Sequence, residues 1–122
     1  RKGFVMSDLL DRYLACWNET DADARWQLLL DHWSDDLTYV DPLVDVAGRD
    51  ALDATIAAVQ QQFPGFVFTP AGPVDAHHGV ARFSWGLGPA GAEPVVIGSD
   101  VVTTDATGRI RSVVGFLDRV PA

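Results

Sequence analysis

The sequence predicts an α+β fold in which three N-terminal helices pack on one side of a strongly curved, mostly antiparallel sheet. Three observations lead there. Apolar residues recur with helical spacing through the first half of the chain, and β-branched and aromatic runs punctuated by turn residues fill the second half. No internal repeat, linker or low-complexity tract separates the two halves. A chain of 122 residues builds one sizeable core. Its 48% hydrophobic and 21% charged residues exclude a disordered chain. The domain is expected over residues 7–120. Met6 opens directly onto a helical pattern, so residues 1–6 read as a leader or added residues.

Nine Lys and Arg stand against seventeen Asp and Glu, a formal net charge of -8. Such a field repels phosphate backbones and anionic lipid surfaces, which argues against nucleic acid and membrane as partners. Cys16 is the single cysteine, so no intrachain disulfide can form, and on an amphipathic helix it reads as inert core. A cytoplasmic location is the expectation.

From a Ser7 cap, Leu9, Leu10, Tyr13, Leu14 and Trp17 form the apolar stripe of a first helix. The stretch from Asn18 to Asp21 breaks it. Thr20 with Asp23 suggests a capping box for a second helix carrying Trp26, Leu29, Leu30 and Trp33 and ending near Ser34. Leu37 to Asp41 alternates and is stopped by Pro42, a short strand with Leu37, Tyr39 and Asp41 on one face. Gly48 and Asp50 introduce a third helix with Leu52, Ile56, Val59 and Phe63 on one side, closed by Pro64 and Gly65.

Four antiparallel strands follow, Phe66 to Thr69, Gly79 to Trp85, Val95 to Thr104 and Ile110 to Leu117. Gly86 to Pro94 reads as a hairpin loop, and Asp105 to Gly108 as a tight turn. Helices on one side of a curved sheet leave a cone, whose mouth is a natural place for an apolar pocket. Strand parity puts Val96, Gly98, Asp100 and Val102 on one face, and Ala81, Phe83 and Trp85 on one face of the strand before. Trp17, Trp33, Tyr39, Phe63, Phe83, Trp85, Val96, Gly98 and Val102 are therefore the candidate pocket wall.

The element order, with Arg12-Tyr13, Ser34-Asp35-Asp36, Asp41-Pro42, Gly72-Pro73-Val74 and Gly108-Arg109-Ile110, resembles the ketosteroid isomerase branch of the NTF2-like superfamily. The SnoaL-like domains, which include polyketide cyclases, look equally close. The resemblance implies a cystatin-like cone and a cofactor-independent isomerase or cyclase acting on a small hydrophobic carbonyl compound. It implies that Asp41, just before a proline at the end of the first strand, shuttles a proton. Tyr13 and a protonated Asp100 fall where the family holds the enolate oxygen. Removing a proton beside a carbonyl creates charge that preplaced donors must hold, and only a neutral acid donates. Burial raises a carboxyl's pKa and keeps it neutral, a pattern for which ketosteroid isomerase is itself the standard example.

Plainer roles exist for each residue. Asp41 also suits a turn cap, Tyr13 a core aromatic, and Asp100 the solvent face if the strand register slips by one. His77 and His78 point to opposite faces and lack further ligands, so no metal is expected. His32 at a helix end suits the helix dipole as a cation. Limonene epoxide hydrolases share the cone but place Arg and Asp two apart on a strand. Here Arg82 is followed by Ser84, and Gly115 occupies the position of the second acid. The rival to catalysis is a non-catalytic binding or dimerisation domain. A homodimer is expected because the outer sheet face carries apolar Val and Ile beside Arg82.

Overall fold

The computed structural model describes residues 8–121. The suggested leader and the Ser7 cap lie outside the described residues. Within them, three helices lie against a seven-stranded sheet. Helix α1 spans Leu9–Asn18 and buries Leu9, Leu10, Tyr13, Leu14, Cys16 and Trp17, the stripe its spacing predicts. Its last residue clamps it to the sheet: Asn18 Nδ2 donates to the Phe68 carbonyl at 2.9 Å, and Phe68 N–H donates back to Asn18 Oδ1 at 2.7 Å.

Helix α2, Ala22–His32, differs from expectation at both ends. Asp21 is the cap, accepting from Ala24 N–H at 2.9 Å, in place of a Thr20 box. The chain then turns directly into strand β1, Trp33–Val40, so Trp33 is a strand residue and not the end of a helical stripe. Arg49 holds this corner by donating to the Leu29 and Trp33 carbonyls, which satisfies acceptors at the helix end. The buried face of α2 is Arg25 and Leu29, while Leu30 is exposed. Arg25 Nε pairs with Asp53 at 2.6 Å, and its Nη1 reaches the Glu19 carbonyl and Gln60. The guanidinium thus ties both N-terminal helices to helix α3, Arg49–Gln62. A stripe count cannot anticipate a buried cation whose partners lie about thirty residues away.

After the short strand β2, Asp45–Ala47, and α3 come β3, Phe66–Pro70, β4, Asp75–His77, β5, Val80–Pro89, β6, Val96–Thr104, and β7, Ile110–Arg119. The order is β2-β1-β7-β6-β5-β3, with β4 paired to β5. Strands β1 and β7 run parallel, and the other pairs antiparallel. Strands β2 and β4 are three residues each and carry no alternation that a sequence would reveal. Strand β5 runs to Pro89, four residues beyond the expected end. Gly86 and Gly88 are strand positions because the returning chain presses on them. A Cβ at Gly86 would sit 2.6 Å from Pro94 Cγ, and one at Gly88 2.8 Å from the Glu93 carbonyl oxygen.

Val96, Gly98, Asp100 and Val102 all face inward, as parity requires. Gly98 sits under the indole of its cross-strand partner Trp85, where a Cβ would stand 2.6 Å from Cε2. That ring is also packed edge-on against Phe68 at 5.3 Å, so it cannot yield freely. Gly98→Ala should therefore destabilise the fold by about 1–3 kcal/mol as an overpacked core site, which urea denaturation at neutral pH will measure.

Candidate functional site

The helices cover only part of the inner sheet face, leaving a cavity of about 330 Å³. That volume is at the lower end of small-ligand sites. Its deep end holds Tyr13, Tyr39 and Asp100, all buried, together with Asp41 and Trp85. Trp17, Phe63, Phe68, Leu87 and Val96 form apolar walls. Leu43, Phe116, Val120 and Pro121 surround an exposed mouth.

Asp41 directly follows β1, where Pro42 forbids further pairing. Its Oδ1 accepts from Leu43 N–H at 2.8 Å and Val44 N–H at 3.0 Å, and Oδ2 accepts from the Tyr39 hydroxyl at 2.6 Å. The carboxylate is therefore both a turn cap and part of the cavity lining. Burial, then the bond to Asp41, push the Tyr39 hydroxyl far above its usual range, so it remains a donor. Tyr13 is raised likewise, by burial first and then by the charge of Asp100.

Asp100 is 3% exposed. Trp85 Nε1 donates to its Oδ2 at 2.9 Å. Burial lifts this carboxyl from 3.8 to about 6, opposed by donor interactions from Tyr13 and Trp85 and assisted by the charges of Asp41 and Asp118. Its cross-strand partner on β7 is Gly115. A Cβ there would overlap Asp100 Oδ1 and lie 3.4 Å from Asp41 Cβ, so the two acids flank this glycine on the cavity side.

The structure brings Tyr13, Asp41 and Asp100 to one end of one cavity. Of the candidate wall, Trp17, Tyr39, Phe63, Trp85 and Val96 line it. Trp33, Phe83, Gly98 and Val102 do not: Trp33 and Val102 are fully buried core, Phe83 packs on Tyr13 at 5.2 Å, and Gly98 lies beneath Trp85. Parity puts Phe83, Gly98 and Val102 on the correct face but says nothing of which of them reach the cavity, and Trp33 was expected on a helix, not on β1. Sequence reasoning missed the Trp85 link to Asp100, the role of Gly115 and the mouth residues. A glycine interrupting the β-branched run of β7 was the available signal for Gly115.

Other candidates lie elsewhere. His77 ends β4 and His78, with positive φ, opens the turn to β5; both are exposed, and their Nδ1 atoms stand 3.2 Å apart instead of on opposite faces. Among the described residues no group of three or more His, Cys, Asp or Glu side chains could hold a metal ion. His32 is lowered by burial and by Arg12, opposite to the cationic helix-end role expected of it. The Cys16 thiol is buried and pushed up to about 12 by desolvation, as inert core requires. No described helix is long and apolar enough to cross a membrane.

The sequence profile of the SnoaL-like domain matches residues 10–113. The chain belongs to the SnoaL-like family. A solved SnoaL-like family protein from Agrobacterium tumefaciens, a candidate isomerase, is 41% identical, covers 93% of this chain and 99% of its own, and superposes with a TM-score of 0.87. A candidate polyketide cyclase from Sinorhizobium meliloti is 17% identical over 88% of this chain and 93% of its own, with a TM-score of 0.69. An NTF2-like protein of unknown function from Cytophaga hutchinsonii shares 12% identity, covers 97% of this chain and 94% of its own, with a TM-score of 0.70. The last two show the NTF2-like cone alone. No match to the chain is found among the curated proteins.

The raised Asp100 carboxyl couples folding to pH. The folded state holds this proton more tightly than the unfolded chain, so the contribution is full below 3.8 and is lost as pH rises through about 6. Asp100→Asn removes that loss. Its stability relative to the parent protein should grow by ~1–3 kcal/mol between acid and neutral pH, read from paired denaturation curves. A constant difference across that window would contradict the assignment.

Proposed function

We propose that this SnoaL-like protein is a cofactor-independent isomerase or cyclase that moves a proton next to a carbonyl of a small hydrophobic molecule. The observation that carries the reading is the pair of acids flanking Gly115 at the buried end of an apolar cavity, with the Tyr13 hydroxyl beside them. Apolar walls take the hydrocarbon body of the ligand, and the carbonyl oxygen sits between Tyr13 and Asp100.

Asp41 accepts the α-proton. The C–H electron pair moves into the carbonyl and forms an enolate, whose oxygen accepts hydrogen bonds from Tyr13 and neutral Asp100. Asp41 then returns the proton to a carbon further along the conjugated system. In a cyclisation, the enolate carbon instead forms a carbon–carbon bond to a second carbonyl, and Asp41 protonates the resulting alkoxide. A bound apolar ligand filling the cavity beside Asp100 lowers the polarity around it and favours the neutral, donating form further. The fixed turn and the Tyr39 bond hold Asp41 before substrate arrives, so little reorganisation is left for the reaction.

A second reading, a non-catalytic ligand-binding domain, is favoured by the two backbone bonds to Asp41, which suffice as a structural reason for that residue. Both readings include a homodimer through the outer sheet face, where Val80, Val101 and Val114 are exposed. Sedimentation at roughly micromolar protein should give twice the chain mass, and a monomer would remove the dimer from the proposal.

The catalytic reading is tested with a panel of small enones, following double-bond migration and incorporation of solvent deuterium. Asp41→Asn should lower the rate by about 10²–10⁴-fold with the fold intact. A fully active Asn variant, or a panel without any exchange above the solvent rate, would favour the binding domain.

A further inference from the structure

The two oxygens of Asp100 have different surroundings. Oδ2 accepts from Trp85 Nε1 at 2.9 Å. Oδ1 lies over the backbone of Gly115, on the side where Asp41 follows β1. In a neutral carboxylic acid one oxygen carries the proton, and the other is the better acceptor. Trp85 N–H can only donate, so Oδ2 is the carbonyl oxygen and the proton is left to Oδ1; the Tyr13 hydroxyl, a donor to the ionised carboxylate, can turn and accept from the neutral acid.

The Trp85 donor is fixed. Its indole lies across Gly98 on the neighbouring strand, where any Cβ would overlap the ring, and it packs edge-on against Phe68 at 5.3 Å. We infer that Trp85 is a positioning residue for Asp100, its indole N–H selecting Oδ1 as the proton-bearing oxygen and so turning the acid's donor toward the cavity. Gly115 completes the device by leaving room for Oδ1 there. The consequence for catalysis rests on the proton-transfer reading; the placement of the proton does not.

The groups facing Asp100 act in both directions. Asp41, beyond β1, and Asp118 on β7 oppose its ionisation by charge, while Tyr13 from α1 and Trp85 from β5 favour it as donors. Tyr39 on β1 stays protonated and contributes no charge. Trp85 makes a short, direct bond to the carboxylate, so replacing it by phenylalanine removes a donor to the charged form. The Asp100 titration should then move upward.

The test needs no substrate. In ¹⁵N-labelled protein, the Trp85 indole N–H resonance, assigned by connectivity and by its loss in Trp85→Phe, should move with pH around a midpoint near 6. Asp100→Asn should abolish that movement. In Trp85→Phe, the Asp100 carboxyl ¹³C midpoint should rise by about one pH unit, as loss of a charge-assisted bond implies. An indole resonance that stays fixed between about pH 4 and pH 8, one that still titrates in the Asn variant, or an unmoved midpoint in Trp85→Phe would each overturn the inference. The wild-type titration stands even if Trp85→Phe folds poorly. The expected shifts in a protein that turns over no enone would leave Trp85 assigned and remove only the proton-transfer reading.

Discussion

A carboxyl group buried on the inner face of a sheet must find donors or lose its charge, and much of this cavity is arranged around that requirement at Asp100. Desolvation alone favours the neutral acid. The Trp85 indole and the nearby Tyr13 hydroxyl oppose the shift, so the carboxyl is raised to about 6 and no further. Two glycines follow from the same need. Gly98 gives the Trp85 ring a surface to lie on, and Gly115 leaves the space that Asp100 Oδ1 occupies. A side chain at either position would move the carboxyl or its donor.

Asp41 meets the same cavity under different rules. It sits where a proline ends the first strand, and its carboxylate closes the turn by accepting two backbone N–H groups and one phenol. A residue in a flexible loop would have to be ordered by its ligand. Here the turn has already done so. The structural role of Asp41 and the proposed chemical one are therefore compatible: the bonds that make it a cap also hold it facing the deep end of the cavity.

Elements with a single strong period were legible in the sequence. The α1 stripe, the stop at Pro42, the α3 face and the alternation of β6 all appear in the structure, and Asp100 shares the inner face with Val96, Gly98 and Val102 as parity grouped them. What escaped depends on pairs distant in sequence. Arg25 is buried because Asp53 and Gln60 of α3 receive it, and no local pattern shows that. Strand β5 continues through Gly86 and Gly88 because the chain returning from the loop packs on their bare backbone. Phe83 and Val102 were assigned to the pocket from their strand face, yet they are buried core outside the cavity lining, since a strand's period reports side and not depth; Trp33, expected on a helix, is buried core as well. The Trp85 bond to Asp100 required the β5–β6 register, in which Trp85 opposes Gly98 and the carboxylate lies one inward position further on.

The two readings of the cavity make different demands on its polar end. A binding pocket for a neutral hydrophobic molecule needs one or two donors to orient a carbonyl, and the Tyr13 hydroxyl would provide one. It has no use for two carboxyls flanking one glycine, because Asp100 is withdrawn from water and the charge of Asp41 adds to the cost of ionising it. That arrangement becomes useful when charge is created and discharged inside the cavity. One acid must then be ionised to take a proton while the other remains neutral to donate one. Placing Asp41 against two backbone N–H groups and Asp100 almost wholly out of water gives the two carboxyls unlike surroundings, and unlike surroundings are what separate the roles of chemically identical groups. This asymmetry, more than the cavity's size or its apolar walls, is the physical ground for reading the site as proton-transfer machinery.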